Sequence, residues 1–183
     1  MERKFSIIGR PSVNTNPISK SEKRIFIVNG MAGCGKDTFA QILGTYTEVF
    51  KYSSIDRVKS IALDCGWSGT KTEKDRKFLS DLKLLLTEYN NLPFLDISKR
   101  VNDFMDDDWR HIMLIDIREP NEIERAAIAF NAKTILIKND RVPFIESNMA
   151  DANVYKYTYD YVIENNGTLE EFEKNIEEFY KSI

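Results

Sequence analysis

The sequence predicts an α/β domain of the doubly wound kind: a parallel sheet of about five strands with helices on both faces. Three observations carry this prediction. Short apolar runs with little polar alternation recur along the chain, the mark of strands buried on both faces. Each is followed by a stretch with helical spacing, so strand and helix alternate. The first run, RIFIVNG at 24–30, ends on glycine and leads through a short turn straight into a helix.

The helix after that turn begins at about Lys36, with Phe39, Ile42 and Leu43 facing inward. VFKYSS (49–54) reads as a second short strand and DRVKSIALDCGW (56–67) as the next helix. Thr72 then opens a strongly periodic stretch in which Phe78, Leu79, Leu82, Leu85, Leu86 and Tyr89 recur at three and four, the spacing of a helix. LDISKRVNDFMD (95–106) continues as helix, carrying Ile97, Val101 and Phe104 inward. HIMLIDIR (111–118) is a central strand, NEIERAAIAFNA (121–132) its helix, and KTILIKND (133–140) another strand. YDYVIENNG (159–167) is the last strand, and Thr168 with Glu171 forms a capping box before a helix whose stripe is Leu169, Phe172, Ile176 and Phe179. The stretch 139–158 is too polar for core and too long for a plain connection, as lids are. Tyr155, Tyr157, Tyr159 and Tyr161 alternate at period two, which favours strand packing over base stacking.

Composition narrows the class. The 183 residues suit one domain with one sizeable core, and the apolar (42%) and charged (30%) fractions are those of a globular protein. A net charge of -3 gives no broad basic field, so neither nucleic acid nor an anionic membrane is expected as a partner. Cys34, Cys65 and His111 are too few for a structural zinc site, which takes about four ligands. The cysteines lack paired spacing, so a reducing compartment is the simpler reading and a disulfide the alternative. No segment approaches the ~20 apolar residues of a membrane span. Residues 1–23 lack the apolar core of a signal peptide, and their Pro, Asn and Ser content predicts a poorly ordered arm ahead of a domain at 24–183. A cytoplasmic location is the expectation, and a homodimer is one assembly the sequence leaves open.

GMAGCGKD (30–37) supplies the chemistry. It fits G-x-x-x-x-G-K between a strand and a helix, with Asp37 where serine or threonine is usual and Thr38 one place later. Gly30, Gly33 and Gly35 permit a tight turn in which the N–H groups of Met31, Ala32, Cys34 and their neighbours converge on an anion. The helix start adds partial positive charge, and Lys36 reaches the outer phosphates of ATP. A carboxylate beside a triphosphate is repulsive unless a cation lies between, so Asp37 either ligates Mg²⁺, directly or through water, or caps the helix; Thr38 is placed to donate to the α-phosphate. Cys34 suits small buried packing better than a redox role. No N-K-x-D segment, D-x-x-G switch or transporter-type signature is present, which disfavours a switch GTPase or transporter ATPase.

GMAGCGKDT, SSIDRVKSIALDCGW, LIDIREPNE and YDYVIENNGTLEEF occur in an order that resembles the deoxynucleoside monophosphate kinase-like family of phosphate-loop kinases, from about Arg24 to the C-terminus. Animal-type phosphomevalonate kinases and dephospho-coenzyme A kinases are relatives of that family by fold. The resemblance implies a three-layer phosphate-loop NTPase fold, ATP at the loop, an acceptor across the cleft and a lid. Its specific parts are G-K-D-T and the D-x-R-x-x-x-E of Asp116, Arg118 and Glu122. Asp116, at the end of a buried strand, resembles a Walker B aspartate holding Mg²⁺-bound water; the alternative is a cap on the next helix. Arg118, two residues on, is a candidate grip on the acceptor phosphate, or else an ion-pair partner of Glu122 or Glu119.

Asp56, Arg57 and Lys59 follow the second strand where the acceptor should enter; the resemblance favours Lys59 as a phosphate contact, and a solvated face suits Arg57 equally. Arg76 opens the long helix and either closes on the acceptor or is solvated. Arg141 is the lid candidate for neutralising the γ-phosphate. Three readings stand: a nucleoside or deoxynucleoside monophosphate kinase, a kinase for another phosphorylated metabolite, and a non-catalytic ATP-binding module regulating a partner.

Overall fold

The computed structural model describes residues 22–142 and 153–183, so the expected arm (1–21) and the middle of the expected lid (143–152) lie outside the described residues. The chain runs β1 (Arg24–Asn29), α1 (Lys36–Tyr46), β2 (Val49–Ser53), α2 (Asp56–Asp64), α3 (Glu73–Asn90), α4 (Leu92–Met105), β3 (Ile112–Asp116), α5 (Pro120–Phe130), β4 (Lys133–Lys138), one 3-10 turn (Val154–Lys156), β5 (Tyr161–Glu164) and α6 (Leu169–Ser182). The five strands form one sheet in the order β2-β3-β1-β4-β5, every pair parallel. This is the α/β architecture read from the sequence.

Strand alternation divides the core. Phe26 and Val28 of β1, Leu114 of β3 and Ile135 of β4 face α1 and α6, where Phe39, Leu43, Phe172, Ile176 and Phe179 pack on them. Ile27, Met113 and Ile115 point the other way, onto Ile97, Val101 and Phe104 of α4 and Ile123 of α5. The rings of Phe26, Tyr161 and Phe179 meet edge-on, with centroids 5.2–6.2 Å apart.

The connection after β1 thus leaves toward one face through α1, and the connection after β3 leaves toward the other through α5. Because β1 and β3 are neighbours, with Val28 opposite Asp116, their C-terminal ends open a crevice at the topological switch point.

One helix and one expectation need comment. The periodic stretch after Thr72 is the helix foreseen, with Thr72 and Asp75 forming a capping box at its start. However, α3 lies against α2 and α4 rather than on the sheet, and none of its residues is buried. Leu79, Leu82 and Leu86 are half-buried, whereas Phe78, Leu85 and Tyr89 are exposed, Tyr89 at 82%. Helical periodicity reports a face that meets something, not how deep that face lies.

The four tyrosines also do not share a strand. Only Tyr161 belongs to β5; Tyr155 sits in the 3-10 turn, and Tyr157 meets Tyr159 edge-on at 5.1 Å. Asp160 ends any strand-like run there, since its carboxylate turns to bind Thr134. The capping box of Thr168 and Glu171 stands as foreseen.

Candidate active site

Backbone geometry makes the loop. Gly30, Gly33 and Gly35 hold φ values of +148°, +80° and +108°, outside the range comfortable for residues with a Cβ. At Gly30 space also matters, because a Cβ would lie 2.5 Å from the Ile137 carbonyl oxygen and 2.6 Å from the Cys34 sulfur. At Gly35 it would lie 2.5 Å from the Asn165 amide nitrogen. Cys34 is buried at 1% exposure, and burial pushes its thiol up, outweighing the opposing pull of Lys36. Its place is packing beneath the loop. Cys34 and Cys65 are both free thiols.

Two asparagines missed by the sequence reading anchor this loop. Asn29 is 1% exposed; its Oδ1 accepts from the Gly30 N–H at 2.8 Å, while its Nδ2 donates to the Arg118 carbonyl (3.1 Å) and the Tyr159 hydroxyl (2.7 Å). The Tyr159 hydroxyl in turn donates a hydrogen bond to the Val154 carbonyl at 2.7 Å. From the far side, Asn165 donates to the Cys34 carbonyl at 2.9 Å, and its own N–H is held by Lys138. Asn29 carries a faint sequence signal, an amide at the very end of an apolar strand; Asn165, in the polar turn after β5, carries none.

Lys36 folds back over the loop, its ammonium donating to the carbonyls of Gly30 (2.6 Å) and Met31 (2.9 Å). Asp37 stands in the first turn of α1, whose N-cap is Gly35 with no side-chain cap bond. Its carboxylate is bound by the ammonium of Lys51 instead, which lowers its pKa. Thr38 follows, half-buried.

The same Lys51 ammonium lies 3.1 Å from Asp116 Oδ2. Burial lowers the pKa of Lys51, yet the two carboxylates outweigh it and hold the ammonium above the usual lysine value. Burial raises Asp116 above the ordinary carboxylate range, with Lys51 and then Lys36 opposing. Lys51 was missed by the sequence reading; its signal was a lone cation inside the otherwise apolar and aromatic VFKYS.

Asp116 does not cap α5, which begins after Glu119. Its Oδ1 is buried and has no hydrogen-bond partner among the described residues. An orphaned carboxylate oxygen, beside a second carboxylate sharing the same cation, is a hard oxygen donor set of the kind Mg²⁺ takes. Asp37 and Asp116 therefore fit the metal the sequence reading assigned to them.

The remaining candidates divide. Ile117 turns into the α4–α5 side of the core, which leaves Asp116 and half-buried Arg118 on the other side, and the charge of Arg118 is felt at Cys34. Glu122 receives Lys83 at 2.6 Å, and Glu119 receives the Asn153 amide at 3.2 Å. Asp56 accepts from the Ser53 N–H at 2.9 Å and pairs with Lys59 at 3.5 Å, so it shapes the turn after β2. Arg57 and Arg76 are exposed, on the first turns of α2 and α3. Arg141 donates to the Asn165 carbonyl at 3.1 Å, which seats it beside β4 and β5, on the opposite flank of the loop from Lys51 and Asp116.

No protein-family model matches the chain, and no curated protein matches it. Its backbone is similar to that of solved kinase structures. A dephospho-CoA kinase from Campylobacter jejuni shares 16% identity at a TM-score of 0.50, over 88% of this chain and 97% of that one. A provisionally assigned kinase from Chloroflexus aurantiacus shares 11% at 0.50, over 88% and 96%. A shikimate kinase from Aquifex aeolicus shares 12% at 0.49, over 86% and 96%. Fold and loop define the class by shape: a five-stranded parallel α/β protein with a glycine-rich loop between β1 and α1, similar in backbone to those kinase structures. Among the described residues no helix is long and apolar enough to cross a membrane.

Proposed function

We propose that this chain is an ATP-dependent small-molecule kinase that transfers the γ-phosphoryl group to a phosphate oxygen of a nucleoside or deoxynucleoside monophosphate. One observation carries the reading: a positive-φ glycine loop with Lys36 at its end lies at the switch point, beside two carboxylates that share one cation. Loops of this shape bind the anionic tail of a nucleotide, and paired carboxylates next to it serve its divalent ion.

In this reading the loop N–H groups after Gly30 bind the β- and γ-phosphates, and Thr38 donates to the α-phosphate. Lys36 leaves the Gly30 and Met31 carbonyls to follow the charge. Arg118 orients the acceptor phosphate from the end of β3, with Lys59, Arg57, Asp56 and Arg76 along the acceptor's approach. An acceptor oxygen attacks the γ-phosphorus in line as the bond to the bridging oxygen breaks, and that electron pair leaves with ADP. Since the acceptor is already anionic, positioning and charge stabilisation replace a strong base. Mg²⁺, held by Asp37 and Asp116, would supply charge neutralisation across the outer phosphates. Arg141 is retained as a phosphate contact on the Asn165 side, its guanidinium offering a second cation during transfer.

The acceptor is tested by a coupled ADP-release screen over nucleoside monophosphates and other phosphorylated metabolites. Selective stimulation by a nucleoside monophosphate is the expected result, and stimulation by another metabolite alone moves the acceptor class. ADP release indifferent to every acceptor favours the non-catalytic module. Lys36→Met should abolish transfer while leaving the far-ultraviolet circular dichroism unchanged; normal turnover in that variant rejects the scheme.

A further inference from the structure

We propose that the ammonium of Lys51 is a built-in placeholder for the metal: it positions Asp37 and Asp116, admits a divalent ion that arrives with nucleotide, and resists one that arrives alone. The inference rests on reading those two carboxylates as the metal site.

Placement carries the first part. Lys51 lies mid-strand in β2, opposite Leu114, so its side chain emerges on the α1 face, where the first turn of α1 presents Asp37. Two residues further along β2, Ser53 stands opposite Asp116. A single ammonium with three donors on a flexible stem spans both carboxylates, which no residue of α1 or β3 does among the described residues. The cluster is sheltered at one end only: the Lys51 side chain is 29% exposed and that of Asp116 19%, while that of Asp37 is 88% exposed.

Charge carries the second part. Two carboxylates in one spot attract a divalent ion strongly; with the ammonium between them the cluster has one net negative charge. Lys36 is already turned toward backbone carbonyls close by, adding further positive field. A metal ion arriving alone must therefore expel a cation hydrogen-bonded to both of its ligands. A metal ion arriving on a triphosphate brings anionic oxygens that give both lysines new partners.

Space carries the third. Beside Lys51 an open groove of about 430 Å³ runs along α1 and the edge of β2, lined by Ala40, Gln41, Gly44, Glu48 and Val49. The groove leaves the Lys51 side chain room to move off the two carboxylates as the phosphate oxygens arrive.

The competing explanation is an ordinary edge-strand lysine, which discourages pairing with other chains and adds little to any site. Binding of Mn²⁺ as a paramagnetic probe, followed by loss of its free electron paramagnetic resonance signal, separates the two using the full chain without nucleotide. Lys51→Met should bind Mn²⁺ roughly tenfold or more tightly than wild type, the effect of removing one unit charge from a half-sheltered site. Lys51→Arg, which keeps the cation, should stay near wild type, and adding Asp116→Asn to Lys51→Met should erase the gain. Equal or weaker Mn²⁺ binding by a folded Lys51→Met overturns the proposal. If that variant does not fold, Lys51→Gln takes its place: a folded Lys51→Gln that holds Mn²⁺ no more tightly than wild type overturns the proposal, and a gain in affinity supports it. The readout does not involve turnover. A gain in Mn²⁺ affinity without any acceptor activity would keep the placeholder and remove the kinase; normal turnover without the gain would do the reverse.

Discussion

The amide of Asn29 closes three hydrogen bonds at once, tying the first N–H of the loop to the end of β3 and to the Tyr159 segment. All three partners lie beside a residue with almost no solvent access, so deleting the amide leaves buried polar groups unpaired. Asn29→Ala should therefore cost about 2–3 kcal/mol in urea unfolding and weaken ATP binding through a loosened loop; an unchanged midpoint and affinity would show that water replaces the amide freely. At this scale the sequence was uneven. Gly30, Gly33, Gly35 and Lys36 are legible because the loop imposes their spacing within eight positions. Asn29 acts on Arg118 and Tyr159, 89 and 130 positions away, and Lys51 on Asp116, likewise remote in sequence. Local patterns carry no record of such pairings, which only strand order creates.

Among the elements, β5 shows how a short edge strand is fixed. It is four residues long, yet Asp160 just before it accepts from the Thr134 N–H and hydroxyl, both at 2.8 Å, and pairs with Lys133 at 3.1 Å. Partial burial would raise its pKa, but these donors win and the carboxyl titrates below its ordinary value. The sign follows. A depressed folded value means stability that is present above the unfolded pKa of ~3.9 and lost as pH falls through the folded value. Asp160→Ala should cost about 1–2 kcal/mol at neutral pH, and thermal melts should show its gap to wild type closing in acid. A constant gap down to low pH would mean the carboxylate charge contributes nothing. The helix ends were readable, Thr72 and Thr168 alike, because a cap is a local bargain between a hydroxyl and the next turn. The depth of α3 was not, since Leu85 and Tyr89 hold the right phase around the helix but meet no sheet.

For the molecule as a whole, alternation of apolar runs and helices was enough to foresee a parallel sheet, and the glycine spacing was enough to foresee a tight loop between β1 and α1. Strand order was not written in any single segment. It emerges because β1 takes the centre, flanked by β3 and β4, while β2 goes to an edge. That order brings Asp37, Lys51 and Asp116 from three separate elements into one cluster, so the candidate site exists only when β2, β3 and α1 are all in place.

The central seat of β1 also sets a timetable for birth on the ribosome. Its hydrogen-bonding neighbours begin at Ile112 and Lys133, so the earliest apolar strand must wait for more than half the polypeptide before either flank is covered. A nascent fragment ending at Asp108 would carry β1 with neither neighbour made, and such long-range closure is slow and exposes sticky segments meanwhile. Truncated there, the product should give no cooperative melt and should associate with holdase chaperones; a sharp unfolding transition from that fragment would mean the N-terminal half can organise itself.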